Sequence, residues 1–442
     1  MPARFTSARF VGREDAFTSL AAVLQAATVG NASALLIEGT AGVGVTRFVD
    51  EAIRRVETLM EPMIVLRGGA SAAGTDRPYA AVMRALGPAL DTLPDEELTT
   101  VMGNATDELV RLLPRLADRL GAPALNRRHR LTTVPERRQA RLLEGVLGAV
   151  GRLSERRPVL FVVEDLHRAD AATRTLVGFL ARIARAQRLA IVGTYQPDSV
   201  RRSDPWATDL AELDQAPRPP ARLALDPMGR HDLARLIEAV EGDRPSASVL
   251  VLVVERSGGR PLVAEELLAA RRELPSVSLT ASFEELVLAR MAVRTPECRR
   301  VLRLIAPAGR DLSRADLAAI ASAFELDATS APPRSSSGPR LGDGVLDADL
   351  MAGLDEAIEH GFMVDEGGLL SLRHELVGQA IEADLLPSSL VRHHSAIARA
   401  LGDDPFVATR HHLLAQDPYR AGRSAVAAAT AAAGVYAPAD EL

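Results

Sequence analysis

Residues 39–46 (GTAGVGVT) form a glycine-rich segment whose spacing could bind phosphate. They fit the pattern G-x-x-x-x-G-K-[ST] at every fixed position except the lysine, which is Val45 here. In that pattern, backbone N–H groups at a helix N-terminus bind phosphate oxygens, and the hydroxyl of Thr46 can ligate Mg²⁺. A tight strand-to-helix turn with incidental glycines would have the same spacing, so this segment alone leaves both interpretations open.

Two adjacent acids, Glu164 and Asp165, follow the apolar run at residues 159–163. An acid at the carboxyl end of a strand can hold Mg²⁺ directly or through water, and its neighbour can orient an attacking water. An acid that caps a helix after a buried strand is the alternative. A further apolar run at residues 189–194 leads to Gln196, so that strand also ends in polar groups.

Val45 removes a positive charge from the phosphate-binding pattern. The chain contains no lysine, and all 52 of its basic residues are arginine. Compositional drift from Lys to Arg would keep the charge, so drift is a poor explanation for Val45. The adjacent Arg47 should project from a different part of the helix. A hydrogen bond to a charged group contributes roughly 1.5–3 kcal/mol, so losing one or two weakens nucleotide binding by on the order of 10- to 1,000-fold. Hydrolysis depends still more on that charge.

The composition excludes several classes of protein. The 442 residues, 47% hydrophobic and 25% charged, are typical of a globular protein of about three domains. The net charge of −6 shows no basic surplus for nucleic acid. One cysteine, Cys298, excludes a disulfide framework and a four-cysteine zinc site. The longest aliphatic run, residues 249–254, is too short to span a bilayer, and residues 1–10 lack an apolar signal core. We therefore expect a cytoplasmic protein with no membrane partner.

The order of elements in the first half predicts an α/β fold. Apolar runs at residues 34–38, 63–66, 159–163 and 189–194 are typical of buried strands in a parallel sheet with helices on both faces. Helical spacing of apolar residues over 17–24 and 48–56 predicts helices on either side of the first strand. Between the second and third strands, a helical insertion is predicted at about 79–153. Its basic cluster at 126–130 is interpreted as a solvated loop rather than an anion site.

After Pro227 the pattern is helical almost throughout. Residues 328–341 (ATSAPPRSSSGPRL) predict a flexible loop. Residues 354–364 and 369–372 then predict a helix followed by a short hairpin, the outline of a winged helix. The sequence ends at Leu442 within a helical pattern, from which we expect a longer protein.

An ordered set of motifs resembles the ATPase module of large LuxR-type transcriptional regulators, which belong to the STAND class of signal-transduction ATPases. The set consists of residues 10–14 (FVGRE), the glycine-rich loop, 164–170 (EDLHRAD), 259–268 (GRPLVAEELL) and 372–377 (LRHELV). The first acid of the acidic motif is Glu164 here, and Arg168 replaces a tryptophan. Gln196 replaces a common sensor arginine.

The resemblance implies a domain organisation for the whole chain. A P-loop NTPase domain would span 1–226, with the helical insertion at about 79–153, and a helical lid would span 227–290. A winged-helix-like domain would follow at 291–401 with the flexible loop at 328–341. Residues 402–442 would begin a helical, TPR-like repeat region.

The resemblance also implies the roles of individual residues. Thr46 and Glu164 would hold Mg²⁺, and Asp165 would orient the attacking water. Pro261 would pack near the adenine of ATP or ADP, and His374 would contact the phosphates and stabilise a closed state. The positions implied for the nucleotide site are Gly39, Gly42, Gly44, Val45, Thr46, Arg47, Gln196, Pro261 and His374.

The leading functional hypothesis is a nucleotide-binding regulatory switch module of a LuxR-type transcriptional regulator with little or no ATP hydrolysis. DNA binding is implied only through a helix-turn-helix outside these residues. The hypothesis leaves open whether an unknown inducer or protein partner binds and whether the chain forms a homo-oligomer. One alternative is a catalytically dead scaffold or oligomerisation module, and another is a STAND module joined to a different signalling output. The winged helix is interpreted as a packing domain rather than a DNA reader.

Overall fold

The computed structural model describes residues 7, 9–58, 62–71, 77–121, 135–201, 203–274, 281–328 and 346–434. The chain divides into two compact units. The sheet unit comprises the described residues of 13–40, 45–226 and 429–434. The helical unit comprises those of 7–12, 41–44 and 227–428.

The sheet unit is built around five parallel strands in the order β2-β3-β4-β1-β5. Every residue of β3 and β4 is buried, as the continuous apolar runs predict. In register, Gly69 pairs with Glu164 and Glu38 pairs with Tyr195, so the carboxyl ends of four strands lie at one edge. The strands are β1 Ser33–Glu38, β2 Ile64–Gly69, β3 Val159–Glu164, β4 Leu189–Tyr195 and β5 Ala221–Ala224.

Helices flank this sheet and complete its core. Four of them, α3 to α6, lie between β2 and β3, where the helical insertion is predicted. Helix α3 packs so closely on β2 that a Cβ on Gly68 would lie 1.8 Å from the carbonyl oxygen of Ala81. The helices are α1 Glu14–Thr28, α2 Val45–Glu57, α3 Ala80–Asp91, α4 Asp95–Met102, α5 Thr106–Leu112, α6 Pro135–Arg156, α7 Ala171–Ile183 and α8 Pro205–Asp214.

The helical unit contains eleven helices among its described residues, the last of which extends past residue 428. A three-stranded antiparallel sheet, β6-β8-β7, lies within it. Its strands are β6 Leu312–Ser313, β7 Met363–Glu366 and β8 Leu369–Leu372. The helices are α9 Arg230–Glu241, α10 Ala247–Ser257, α11 Pro261–Glu273, α12 Phe283–Ala292, α13 Pro296–Ile305, α14 Arg314–Ala328, α15 Ala348–Glu359, α16 Glu375–Ala383, α17 Pro387–Ala400, α18 Pro405–Leu414 and α19 Pro418–Gly434.

Helix α15 leads directly into the hairpin of β7 and β8, as the sequence predicts. The hairpin turns at Gly367 and Gly368, which have φ of +62° and +86°. Two positive φ values in succession suit a two-residue hairpin turn and favour glycine. Cys298 lies fully buried in α13, and burial raises the pKa of its thiol to about 12.

The predicted fold class is confirmed: a parallel sheet flanked by helices precedes a mostly helical remainder. The predicted flexible loop at 328–341 lies outside the described residues except for Ala328, which ends α14. The basic cluster at 126–130 also lies outside them. None of the helices in the described residues combines the length and hydropathy that a membrane span requires. The predicted domain boundaries stay predictions.

Candidate functional site

The glycine-rich loop connects β1 to α2, and its backbone has the geometry of an anion cradle. Gly42 and Gly44 have φ of +80° and +96°, a region that glycine enters at little cost. Helix α2 begins at Val45, so the N–H groups of its first turn have no intrahelical acceptor and carry the positive end of the helix dipole. A phosphate group is the kind of ligand that such a helix start binds.

The buried face of α2 fixes the direction of this helix start. Phe48, Val49 and Val56 are buried, and the ring of Phe48 lies 4.5 Å from that of Phe17. Thr46 and Arg47 are exposed, whereas Val45 is partly buried. The side chain at the lysine position therefore contributes apolar surface and no charge.

The acid at the end of β3 is bonded to an arginine that the sequence analysis did not single out. Glu164 is 9% exposed, and its Oε1 accepts a hydrogen bond from Nε of Arg67 at 2.7 Å. Nη1 of Arg67 lies 2.8 Å from Oδ1 of Asp50. Burial raises the pKa of Glu164, and the charge of Arg67 and the nearby hydroxyl of Thr46 act in the opposite direction.

The structure thus brings Thr46 and Glu164 together, as the sequence predicts, and adds Arg67 and Asp50 to them. Arg67 lies on β2 and Asp50 on α2. The one sequence signal for Arg67 is a charged residue directly after the apolar run at 63–66. Only the pairing of β2 with β3 places that charge beside Glu164.

Asp165 adopts a left-handed backbone conformation, with φ of +56° and ψ of 45°. Its N–H donates to Oγ1 of Thr194 at 3.0 Å, so the end of β4 holds this turn in place. A non-glycine residue in this region costs on the order of 1 kcal/mol, and such strain is found at functional sites more often than elsewhere. The role of Asp165 toward an attacking water stays a prediction.

The polar end of β4 is tied to its neighbours by hydrogen bonds. The N–H of Gln196 donates to Nδ1 of His167 at 3.4 Å. The hydroxyl of Tyr195 bonds to the Glu38 carboxylate and accepts from Nη1 of Arg222 at 3.1 Å. Burial, reinforced by the bond to Glu38, raises the pKa of Tyr195 to about 12, so this hydroxyl keeps its proton.

Pro261 and His374 belong to the helical unit, together with loop residues 41–44. Pro261 begins α11, and its Cγ lies 3.9 Å from the position that a Cβ on Gly44 would take. The next N–H, of Leu262, donates to the carbonyl of Gly42 at 3.3 Å. His374 caps α16, because its Nδ1 accepts from the N–H of Leu376 at 3.1 Å. The cap occupies Nδ1 of the imidazole, and a role toward nucleotide stays a prediction.

The donor set fits a phosphate better than it fits Mg²⁺. The loop backbone offers N–H groups at a helix start, which suits an anion. A metal ion could use the oxygens of Thr46 and Glu164, yet the Glu164 carboxylate is already bonded to Arg67.

Similar proteins were found both by sequence and by structure. An uncharacterized protein of Rhizobium meliloti is 26% identical over 276 residues, which cover 58% of this chain and 24% of that protein. This chain therefore spans about a quarter of the length of that relative.

Two solved structures are similar to this chain at low identity. A STAND protein with a tetratricopeptide repeat sensor from Pyrococcus horikoshii has a TM-score of 0.46 and 11% identity over 97% of this chain and 59% of that chain. The ORC2 protein of Aeropyrum pernix, solved in ADPNP and ADP complexes, has a TM-score of 0.38 and 14% identity over 90% of this chain and 96% of that one.

A family model covers the part of the candidate site that lies before residue 193. Residues 9–192 match the model of the AAA ATPase domain. This range contains the glycine-rich loop, Arg67, both acids at the end of β3 and most of β4. Over this range the chain is therefore similar to the AAA ATPase domain, and the parallel sheet lies largely within it.

Proposed function

We propose that the chain is a regulatory module that binds adenine nucleotide and hydrolyses it little or not at all. The observation that carries this proposal is a phosphate cradle that lacks its lysine: Gly42 and Gly44 shape the loop before α2, and Val45 stands at the lysine position. Binding draws mainly on the backbone N–H groups, which do not depend on the residue at 45. Hydrolysis depends on positively charged side chains, and this site has fewer of them than the resemblance implies.

Three features of the site argue against turnover. Val45 and Gln196 each replace a charge that the resemblance implies. Glu164, the acid that would hold the metal, is bonded to Arg67 instead. Because phosphoryl transfer is catalysed by positioning and electrostatic stabilisation, the loss of these charges affects the transition state more than the bound nucleotide.

The regulatory role extends the proposal beyond the site. The motifs resemble those of LuxR-type transcriptional regulators, and the order of α13, β6, α14, α15, β7 and β8 supports a winged-helix-like domain. In this proposal the winged helix packs and regulates, an inducer or protein partner acts through a helical-repeat region that begins near residue 402, and DNA binding belongs to a separate helix-turn-helix. The setting would be the cytoplasm, which suits a chain with one buried cysteine.

Restoring the lysine should strengthen nucleotide binding. We expect Val45→Lys to bind ADP and ATP about 10-fold or more tightly than the wild type, since it adds a charge-assisted contact to the phosphates. Titration calorimetry measures both affinities. The matched control is Val29→Lys, which makes the same change at a residue of the sheet unit that is 70% exposed. Equal affinity of wild type and Val45→Lys would show that the loop is not a working phosphate site and would favour the scaffold alternative.

Steady-state phosphate release should show no appreciable ATP hydrolysis. The reason is the combined loss of charge at residues 45 and 196 and the ion pair of Glu164 with Arg67. The measurement compares wild type with Asp165→Asn under the same conditions. Turnover at ordinary ATPase rates that disappears in Asp165→Asn would contradict the proposal of a non-hydrolysing module.

A further inference from the structure

The carboxylate expected to bind Mg²⁺ is already bonded to a protein group in this structure. Oε1 of Glu164 accepts from Nε of Arg67 at 2.7 Å. The hydroxyl of Thr46 lies close to the same carboxylate. All three residues lie in the sheet unit. A positively charged guanidinium therefore lies where the sequence predicts a cation.

A second carboxylate orients this guanidinium. Nη1 of Arg67 lies 2.8 Å from Oδ1 of Asp50, so Asp50 on α2 and Glu164 on β3 hold it from two sides. The side chain of Glu164 is only 12% exposed, whereas that of Arg67 is 36% exposed. The carboxylate is thus largely closed to solvent while part of the arginine is open to a ligand.

The charge balance disfavours a metal ion beside this arginine. Mg²⁺ requires near-octahedral oxygen ligands and gives up its water reluctantly. To use Glu164 it would have to approach a guanidinium that stays charged at any relevant pH. The metal would then either break the bond between Arg67 and Glu164 or lie next to a like charge in a partly buried site.

The same arginine has donors to spare for a phosphate. A guanidinium carries five N–H donors, and its contacts within the described residues use Nε and Nη1. The donors on Nη2 are suited to phosphate oxygens, which arginine binds readily. Thr46, which lies close to the same Glu164, belongs to the first turn of α2, so Arg67 is near the start of that helix.

We propose that this site binds adenine nucleotide without Mg²⁺, and that Arg67 supplies the positive charge that a metal ion and a loop lysine would otherwise supply. This inference rests on the proposed nucleotide function and specifies how that function is carried out. It makes Arg67 a binding residue and Asp50 the residue that positions it.

Titration calorimetry with ATP and with ADP, in Mg²⁺ buffer and in EDTA, tests the inference. The wild type should show dissociation constants that agree within about threefold in the two buffers. Arg67→Gln should weaken binding in EDTA by on the order of 10-fold or more, and Mg²⁺ should restore part of the loss because Glu164 is released to bind the metal. Arg182→Gln is the matched control: Arg182 is 37% exposed, pairs with Glu212 at 3.5 Å and belongs to the same unit.

A double variant that leaves no unpaired charge is the control for misfolding of Arg67→Gln. If Arg67→Gln leaves Glu164 unpaired and does not fold, Arg67→Gln combined with Glu164→Gln removes both charges, and this variant should bind weakly in both buffers.

Wild-type binding that requires Mg²⁺, or that is Mg²⁺-independent but unchanged in the arginine variants, overturns the inference and leaves the nucleotide function standing. If neither the wild type nor Val45→Lys binds in either buffer, the nucleotide function fails and this inference fails with it. If Val45→Lys binds nucleotide and the wild type does not, Arg67 does not supply the charge.

Discussion

Arg290 on α12 is completely buried, and four hydrogen bonds satisfy its guanidinium. Nη1 donates to Glu266 at 2.5 Å, Nε donates to Glu273 at 2.9 Å, and Nη2 donates to the His360 carbonyl at 2.6 Å and to Glu273 at 3.5 Å. Glu266 also accepts from Nη2 of Arg373 at 2.7 Å. An ion pair thus joins two motifs of the family resemblance inside the helical unit, at residues 259–268 and 372–377.

Arg290→Met should destabilise the helical unit by about 3–5 kcal/mol, because it leaves Glu266 buried with one cation fewer. Denaturant titration of wild type and variant measures the change. The control is Arg271→Met on α11, whose exposed pair with Glu241 at 3.3 Å should contribute less than about 1 kcal/mol. Equal effects of the two substitutions would mean that burial does not raise the cost of removing the charge.

The candidate site was predictable from the sequence to the extent that its residues are local to a motif. Thr46 belongs to the glycine pattern, and Glu164 ends an apolar run, so their approach follows from a parallel sheet. Arg67 and Asp50 were missed because their roles depend on long-range pairing. Asp50 looks like any exposed helix residue, and nothing in the sequence states that β2 lies beside β3.

Among the elements, the apolar runs predict β1 to β4, and helical spacing predicts the helices on either side of the glycine loop. The strand β5 was not predicted, because Leu223 is its one buried residue and the others are exposed. An edge strand of this kind carries no hydrophobic run and gains its order from pairing with β1. The strand β6 is two residues long and is likewise defined only by its partner β8.

Helices α17 and α18 meet through two buried histidines. Nδ1 of His394 lies 3.0 Å from Nδ1 of His411, so one ring donates and the other accepts in a neutral pair. Burial, together with the charge of Arg410, lowers the pKa of His394 to about 4. Burial, the neighbouring His394, and Arg410 and Arg310 lower the pKa of His411 to about 3.

Acid should weaken the pairing of α17 with α18. An unfolded histidine takes up a proton below its ordinary pKa of 6.5, whereas the folded pair takes one up only near 4 and 3. The stabilisation is therefore complete above pH 6.5 and is lost as the pH falls toward 4. Between pH 6.5 and about pH 5 we expect a loss of about 1–2 kcal/mol per histidine.

The free energy of unfolding, measured across this pH range, tests the histidine pair. His394→Leu combined with His411→Leu should flatten the slope relative to wild type, because both titrating groups are gone. His231→Leu, at an exposed residue of α9, is the control and should keep the wild-type slope. A double variant with an unchanged slope would assign the acid sensitivity to other groups.

At the scale of the whole molecule, each unit has a hydrophobic core of its own. In the sheet unit, Phe161 of β3 is a fully buried member of a cluster formed by the strands and their helices. In the helical unit, Leu354 of α15 belongs to a separate cluster. The single tryptophan, Trp206, is buried in the first cluster with its ring 5.9 Å from that of Tyr195. Its fluorescence therefore reports on the sheet unit.

This distribution predicts that substitutions in the two cores are distinguishable by optical probe. Phe161→Ala should lower the denaturant midpoint seen by Trp206 fluorescence, at a cost of about 3–5 kcal/mol. Leu354→Ala, at a cost of about 2–5 kcal/mol, should alter the circular dichroism transition and leave the fluorescence midpoint in place. A fluorescence midpoint that moves equally in both variants would mean that the units unfold together.

The buried Cys298 makes the chain well suited to site-specific labelling. Its thiol is fully enclosed and holds its proton to a pKa of about 12, and the thiolate is the form that reacts with maleimide. A cysteine introduced at exposed Val29 would thus be the thiol that a dye reaches, without removal of the natural one. One fluorophore per molecule, attached to the unit that carries Thr46, Arg67 and Glu164, could follow the addition of ATP in real time.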